Sequence, residues 1–160
     1  MKIRSVKPNN RKKAFEIRTS TRDFQFPYSK AVPRPSASDP VADVSIDKEL
    51  AGEAITYVLK SGREGSVHIE QVLDYNQDPK YLRDAILYKL TLETRKRIQD
   101  SPLSKREIIR RLGTSATQLY RLLDQTNYKK SIDQLLSLLG VLDCQVEVKV
   151  RSKRPARRAA

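Results

Sequence analysis

The chain has 160 residues, with 32 Lys and Arg against 19 Asp and Glu, a net charge of +13 and 38% hydrophobic residues. That length suits one domain or two small ones, and the apolar content suffices for modest cores. No apolar run reaches membrane-spanning length, and the basic start Met1-Lys2-Ile3-Arg4 runs into charge and Pro8 rather than the apolar stretch of a secretory signal.

In chain order, Ile3, Val6 and Phe15-Glu16-Ile17 alternate loosely, and Phe24-Gln25-Phe26 shows a cleaner period of two, so short strands are expected with a turn at Asn9-Asn10. Pro27 to Pro40 carries Pro33, Pro35 and three small residues, and reads as a loop. Asp39, Asp43, Asp47 and Glu49 lack the close spacing of a metal site and read as a solvated acidic loop. Two further strands are predicted at Ala54 to Lys60 and Ser66 to Glu70, with Ser61-Gly62-Arg63-Glu64-Gly65 as the hairpin between them. The lone His68 belongs on a strand face between Val67 and Ile69, and Asn76-Gln77-Asp78-Pro79 breaks the chain.

After Pro79 the period becomes helical. Leu82, Ile86, Leu87 and Leu90 make an apolar stripe, in a helix expected to run to about Gln99 before Ser101-Pro102. Three capping boxes follow: Ser104 with Glu107, Ser115 with Gln118, and Ser131 with Gln134. Each leads an apolar stripe at spacing three or four, so three short helices are expected, with Gln118 engaged as the reciprocal cap of Ser115. Gly113 suits the left-handed residue that closes the first of them. Cys144 to Val150 alternates valines with charge and reads as a closing strand. The basic tail 151–160 has no core-forming residues and reads as disordered.

The fold class expected is α+β: a small antiparallel β-rich domain over residues 1–80, then a helical domain over 81–150 with a C-terminal strand. Charge divides along the same lines. Residues 1–38 hold ten Lys and Arg against two acids, residues 39–80 nine acids against four bases, and residues 81–125 ten bases against five acids. A field of this kind draws polyanions.

Two short helices joined by Gly113-Thr114 fit either a helical hairpin in a bundle or a helix pair that reads DNA. The second helix favours DNA. Its apolar Leu119, Leu122 and Leu123 leave Ala116, Thr117, Tyr120 and Arg121 outward, and no acid lies between Ser115 and Leu123. The run Leu103 to Ser115 followed by Gln118-Leu119-Tyr120-Arg121-Leu122-Leu123, with Ser131 to Gly140 as the next helix, resembles the lambda-repressor-like (XRE) helix-turn-helix family over about residues 82–150. Val146-Glu147-Val148 is similar to the short strand that closes a subset including antitoxin regulators. Residues 1–80 faintly resemble a small domain of unknown function found before such motifs.

The resemblance implies binding of double-stranded DNA, often as a homodimer, with the helix at 115–124 in the major groove. The expected DNA-contacting residues are Lys105 and Arg106, then Ser115, Ala116, Thr117, Gln118, Tyr120 and Arg121, then Asn127, Tyr128, Lys129 and Lys130 for phosphate. Arg110 and Arg111 add charge on the preceding helix. The loop Asp124 to Lys130 has no glycine.

A sequence-specific transcriptional regulator is the leading expectation. The alternatives are an antitoxin-type regulator that docks a partner protein through the acidic 39–78 region, and a nonspecific nucleoid or RNA-binding protein. His68 and Cys144, far apart in sequence, make no nucleophile pair, and no phosphate-cradling glycine loop exists, so neither an enzyme, a metal nor a cofactor is expected. The lone cysteine cannot form an internal disulfide and fits a reducing compartment, so the expected location is the cytoplasm.

Overall fold

The computed structural model describes residues 1–152, and the chain divides into two compact units between Arg83 and Asp84. The fold class is α+β. No helix among the described residues is long and apolar enough to cross a membrane.

In the first unit, β1 (Ile3–Asn9), β2 (Ala14–Thr19) and β3 (Asp23–Pro27) form an antiparallel sheet in sequence order. The period of two places Phe15 opposite Phe26 and Ile17 opposite Phe24, and all four are buried. A second antiparallel sheet contains β4 (Val41–Ile46), β5 (Ala54–Leu59) and β6 (Glu64–His68). Ile55, Tyr57 and Leu59 of β5 enter the same core, where the Tyr57 ring lies 5.0 Å from Phe15.

Strand β4 occupies the stretch expected to be a solvated acidic loop. A register shift between Val41 and Asp43 interrupts its alternation, while Val44 and Ile46 pack on the core. Asp39 is also no solvated acid: its carboxylate accepts from the Ser61 amide at 2.8 Å, the Ser61 hydroxyl at 2.8 Å and Arg63 at 2.7 Å, which pins the β5–β6 hairpin.

The last predicted strand of this unit ends at His68, because Ile69 opens an unforeseen helix, α1 (Ile69–Asn76). His68 is its cap: Nδ1 accepts from the Glu70 amide at 3.3 Å, and Gln71 Oε1 accepts from the His68 amide at 2.9 Å. Ile69, Val72 and Leu73 then face the core at helical spacing. The break at 76–79 is an N-terminal cap, in which Asp78, paired with Arg22, accepts from the Tyr81 amide at 2.9 Å and Pro79 opens α2 (Pro79–Asp100).

From Asp84 onward the core belongs to α2, α3 (Lys105–Leu112), α4 (Ala116–Leu123) and α5 (Ile132–Val141). Leu87, Ile108, Leu119, Leu122, Leu135 and Leu138 are its centre. The stripe expected on α2 is corrected. Leu87 and Leu90 face the core with Ile98, but Ile86 is 39% exposed and so is Leu92, while Thr91 and Thr94 are buried. The threonines can enter an apolar core because their hydroxyls donate within the helix, to Leu87 O at 2.6 Å and Leu90 O at 2.7 Å.

The expected closing strand does not form. Residues 144–150 make no ladder, and Val148 and Val150 are exposed, since no strand of this unit is available among the described residues to satisfy their backbone groups. The expectation for the tail falls on residues 151–160, of which 153–160 lie outside the described residues.

In the first unit the tightest constraint is Gly65. A Cβ there would overlap the Tyr57 ring and the Val32 carbonyl, and Tyr57 is buried with its hydroxyl donating to Pro33 O at 2.6 Å. Gly65→Ala is expected to lower unfolding stability by about 1–3 kcal/mol, the usual cost of overpacking, read from urea denaturation.

Candidate nucleic-acid interface

Two short helices and a tight turn place the expected contact residues. Ser104 caps α3, its hydroxyl accepting from the Glu107 amide at 3.2 Å, and Gly113 closes it at φ +66°, the left-handed conformation that glycine adopts without cost. Only Thr114 then separates it from Ser115, which caps α4 by accepting from the Gln118 amide at 3.2 Å. The reciprocal halves of both boxes are absent: Gln118 makes no return bond, so its side chain is not consumed as a cap, and Glu107 turns to arginines instead. At the third box Ser131 makes no side-chain cap. Its hydroxyl serves Asp133, whose carboxyl it holds below the usual carboxylate range together with backbone amides.

Leu119 and Leu122 are buried, and this fixes the rotation of α4. The opposite side carries Thr117, Tyr120 and Arg121, which at spacing three and four share one face, with Ala116 and Gln118 beside them. All five are exposed, Tyr120 by 57%. Lys105, at the start of α3, lies with its Nζ 5.5 Å from the centre of the Tyr120 ring, a cation–π contact that joins the two helices at the surface. Arg106 is exposed beside it.

One acid interrupts the positive face of α3. Glu107 accepts from Arg110 at 2.6 and 2.9 Å and from Arg111 at 2.7 Å, and these bonds, Arg110 first, hold its carboxyl down at about 2. Glu107 therefore stays ionised through the physiological range, and Arg110 and Arg111 share one counter-charge. Lys105, Arg106 and Arg121 have no acid partner among the described residues.

The loop after α4 departs from the expectation. Lys130 is 6% exposed, and its ammonium donates to Leu122 O at 2.9 Å and Asp124 O at 2.5 Å. It does not face solvent and offers nothing to a phosphate. Burial pushes its pKa down from the usual lysine value, with nearby Asp124 opposing the shift. Asn127 is similarly committed: its amide donates to Arg121 O at 3.1 Å and its oxygen accepts from the Lys129 amide at 3.1 Å. Both side chains satisfy carbonyls at the end of α4, a task that elsewhere falls to a glycine in left-handed conformation. Lys129 and Tyr128 remain exposed.

Sequence reasoning missed Arg95 and Gln99, on the last turns of α2. With Lys105, Tyr120 and Leu123 they line a depression of about 330 Å³. Their i, i+4 spacing on the polar side of a long helix was the available signal, though most such pairs only face water. No protein-family model, curated protein or solved structure matches this chain.

Removing the buried cation should be felt in stability. Lys130→Met keeps the aliphatic stem but strands the Leu122 and Asp124 carbonyls, and a loss of about 1.5–3 kcal/mol is expected from denaturant unfolding. A change below about 0.5 kcal/mol would contradict the capping role.

Proposed function

We propose that the second unit binds double-stranded DNA in a sequence-specific manner, as a transcriptional regulator of the lambda-repressor-like helix-turn-helix kind, with α4 entering the major groove. The observation that carries this reading is the outward face of α4. Thr117, Tyr120 and Arg121 stand exposed on one side of a short helix whose other side is buried, with no acid between Ser115 and Leu123. Small residues at the start of the helix allow close approach to base edges, and a guanidinium can bond two acceptors of a guanine at once. Lys105, Arg106 and Lys129 are the cations available for phosphates on either side, with the amides at the α4 N-terminus.

The net charge of +13 favours a second reading, nonspecific nucleic-acid binding. The two part on a ratio. Genomic fragments selected by the protein should bind at least about a thousandfold more tightly than random duplex under the regulator reading, and a ratio near one would select the other.

Within the regulator reading the side chains separate by role. Arg121→Ala is expected to weaken binding to a selected fragment about 10- to 100-fold and to relax base preference. Lys129→Ala is expected to weaken all duplexes alike and to reduce the slope of log K against log salt by about 0.9. Titrations of both variants at several salt concentrations check this, and equal, sequence-independent losses would refute the assignment of Arg121.

Glu107→Gln provides a test of opposite sign. It removes the acid that Arg110 and Arg111 share, so binding to any duplex should tighten and its salt slope should steepen. Unchanged affinity and salt slope in that variant would place α3 away from the phosphates.

A further inference from the structure

We infer that the tip of the β1–β2 hairpin is a second contact of this chain with duplex DNA, one that holds backbone phosphates without reading sequence. The inference rests on the DNA-binding reading of the second unit and extends it to the first.

The tip, residues 10–13, lies between the paired residues Asn9 and Ala14 and carries Arg11, Lys12 and Lys13, all exposed. Its shape is fixed from beneath. Asn9 Oδ1 accepts from the Lys12 amide at 2.9 Å, the Tyr28 hydroxyl donates to Asn10 Oδ1 at 3.0 Å, and the Tyr28 amide donates to Lys13 O at 2.8 Å. Tyr28 is itself buried, with its ring 4.9 Å from Phe15. The cations are thus presented from the core rather than from a slack loop, which lowers the ordering cost of a contact.

Two further observations point outward from the tip. Lys13 stands at φ +52°, a left-handed conformation that glycine or asparagine would adopt more cheaply. This residue turns the chain back into β2 and leaves the lysine side chain exposed at the tip. The nearest acid is also already used: Glu16 accepts from Asn9 at 2.8 Å and from Lys12 at 3.1 Å, and lies opposite Lys7 in the ladder. Arg11 and Lys13 therefore have no acid partner among the described residues. Exposed cations on a fixed ribbon suit phosphodiester oxygens, which occur along the whole duplex.

The test uses the full chain and the double substitution Arg11→Gln with Lys13→Gln, which removes two charges and none of the bonds that hold the tip. Binding is titrated on a random-sequence duplex and on a selected fragment across a salt series. The slope of log K against log salt is expected to become shallower by about 1.8 on both duplexes, leaving the ratio of selected to random affinity unchanged, because each lost phosphate contact contributes about 0.9. Arg11→Gln alone should give about half that change. A slope unaltered in the double variant, or a loss confined to the selected fragment, overturns the inference and leaves the reading of α4 standing. Wild-type protein that binds no duplex at any salt concentration overturns both.

Discussion

The ammonium of Lys130 reaches back along the chain and closes the end of α4 on the Leu122 and Asp124 carbonyls. Helix α4 has eight residues, too few to persist in water on hydrogen bonding alone, so its existence depends on what holds its two ends and its inner face. Ser115 holds the first end and Lys130, with Asn127, the second, while Leu119 and Leu122 hold the face. A positive charge at the negative end of a helix is favourable, and the exclusion of water that disfavours the charged ammonium also leaves this attraction less screened. The direction of Thr117, Tyr120 and Arg121 follows from this arrangement.

The charges near α4 divide into those consumed by the fold and those left over. Glu107 binds Arg110 and Arg111, and Lys130 is consumed by backbone carbonyls. Lys105, Arg106, Arg121, Lys129 and, on α2, Arg95 remain, and Lys105 also leans over the Tyr120 ring. The excess of basic residues in the sequence therefore overstates what this unit presents. The same sorting in the first unit removes Lys12, Arg18, Arg22 and Arg63, which pair with Glu16, Asp23, Asp78 and Asp39, and Arg11 and Lys13 at the hairpin tip are among the cations left over.

What could be read from the residues were features with a local physical cause. Alternation at Phe24-Gln25-Phe26 and the caps at Ser104 and Ser115 involve neighbours in the chain, and strands and helices stand where those residues place them. What escaped depended on distant partners. Strand β4 exists because β5 accepts it, despite acids and a register shift that blur its pattern. Cys144 to Val150 has the alternation and lacks the partner. Thr91 and Thr94 displaced leucines from the inner face of α2 through bonds within their own helix, which hydrophobic periodicity does not register. Helix α1 was hidden because a histidine stands where Ser, Thr, Asp or Asn usually cap. The case of Lys130 is the most instructive for the candidate site. By type and position it looked like a phosphate contact, and the absence of glycine between Asp124 and Lys130 was the sign that some side chain had to close α4.

The central claim is that the outward face of α4 meets DNA, and backbone amide chemical shifts followed during titration with a selected duplex test it most directly. The largest changes are predicted from Ser115 to Arg121 and at Lys105, with the buried amides of α5 little affected. Changes concentrated away from α3 and α4, or none at saturating duplex, would contradict the account.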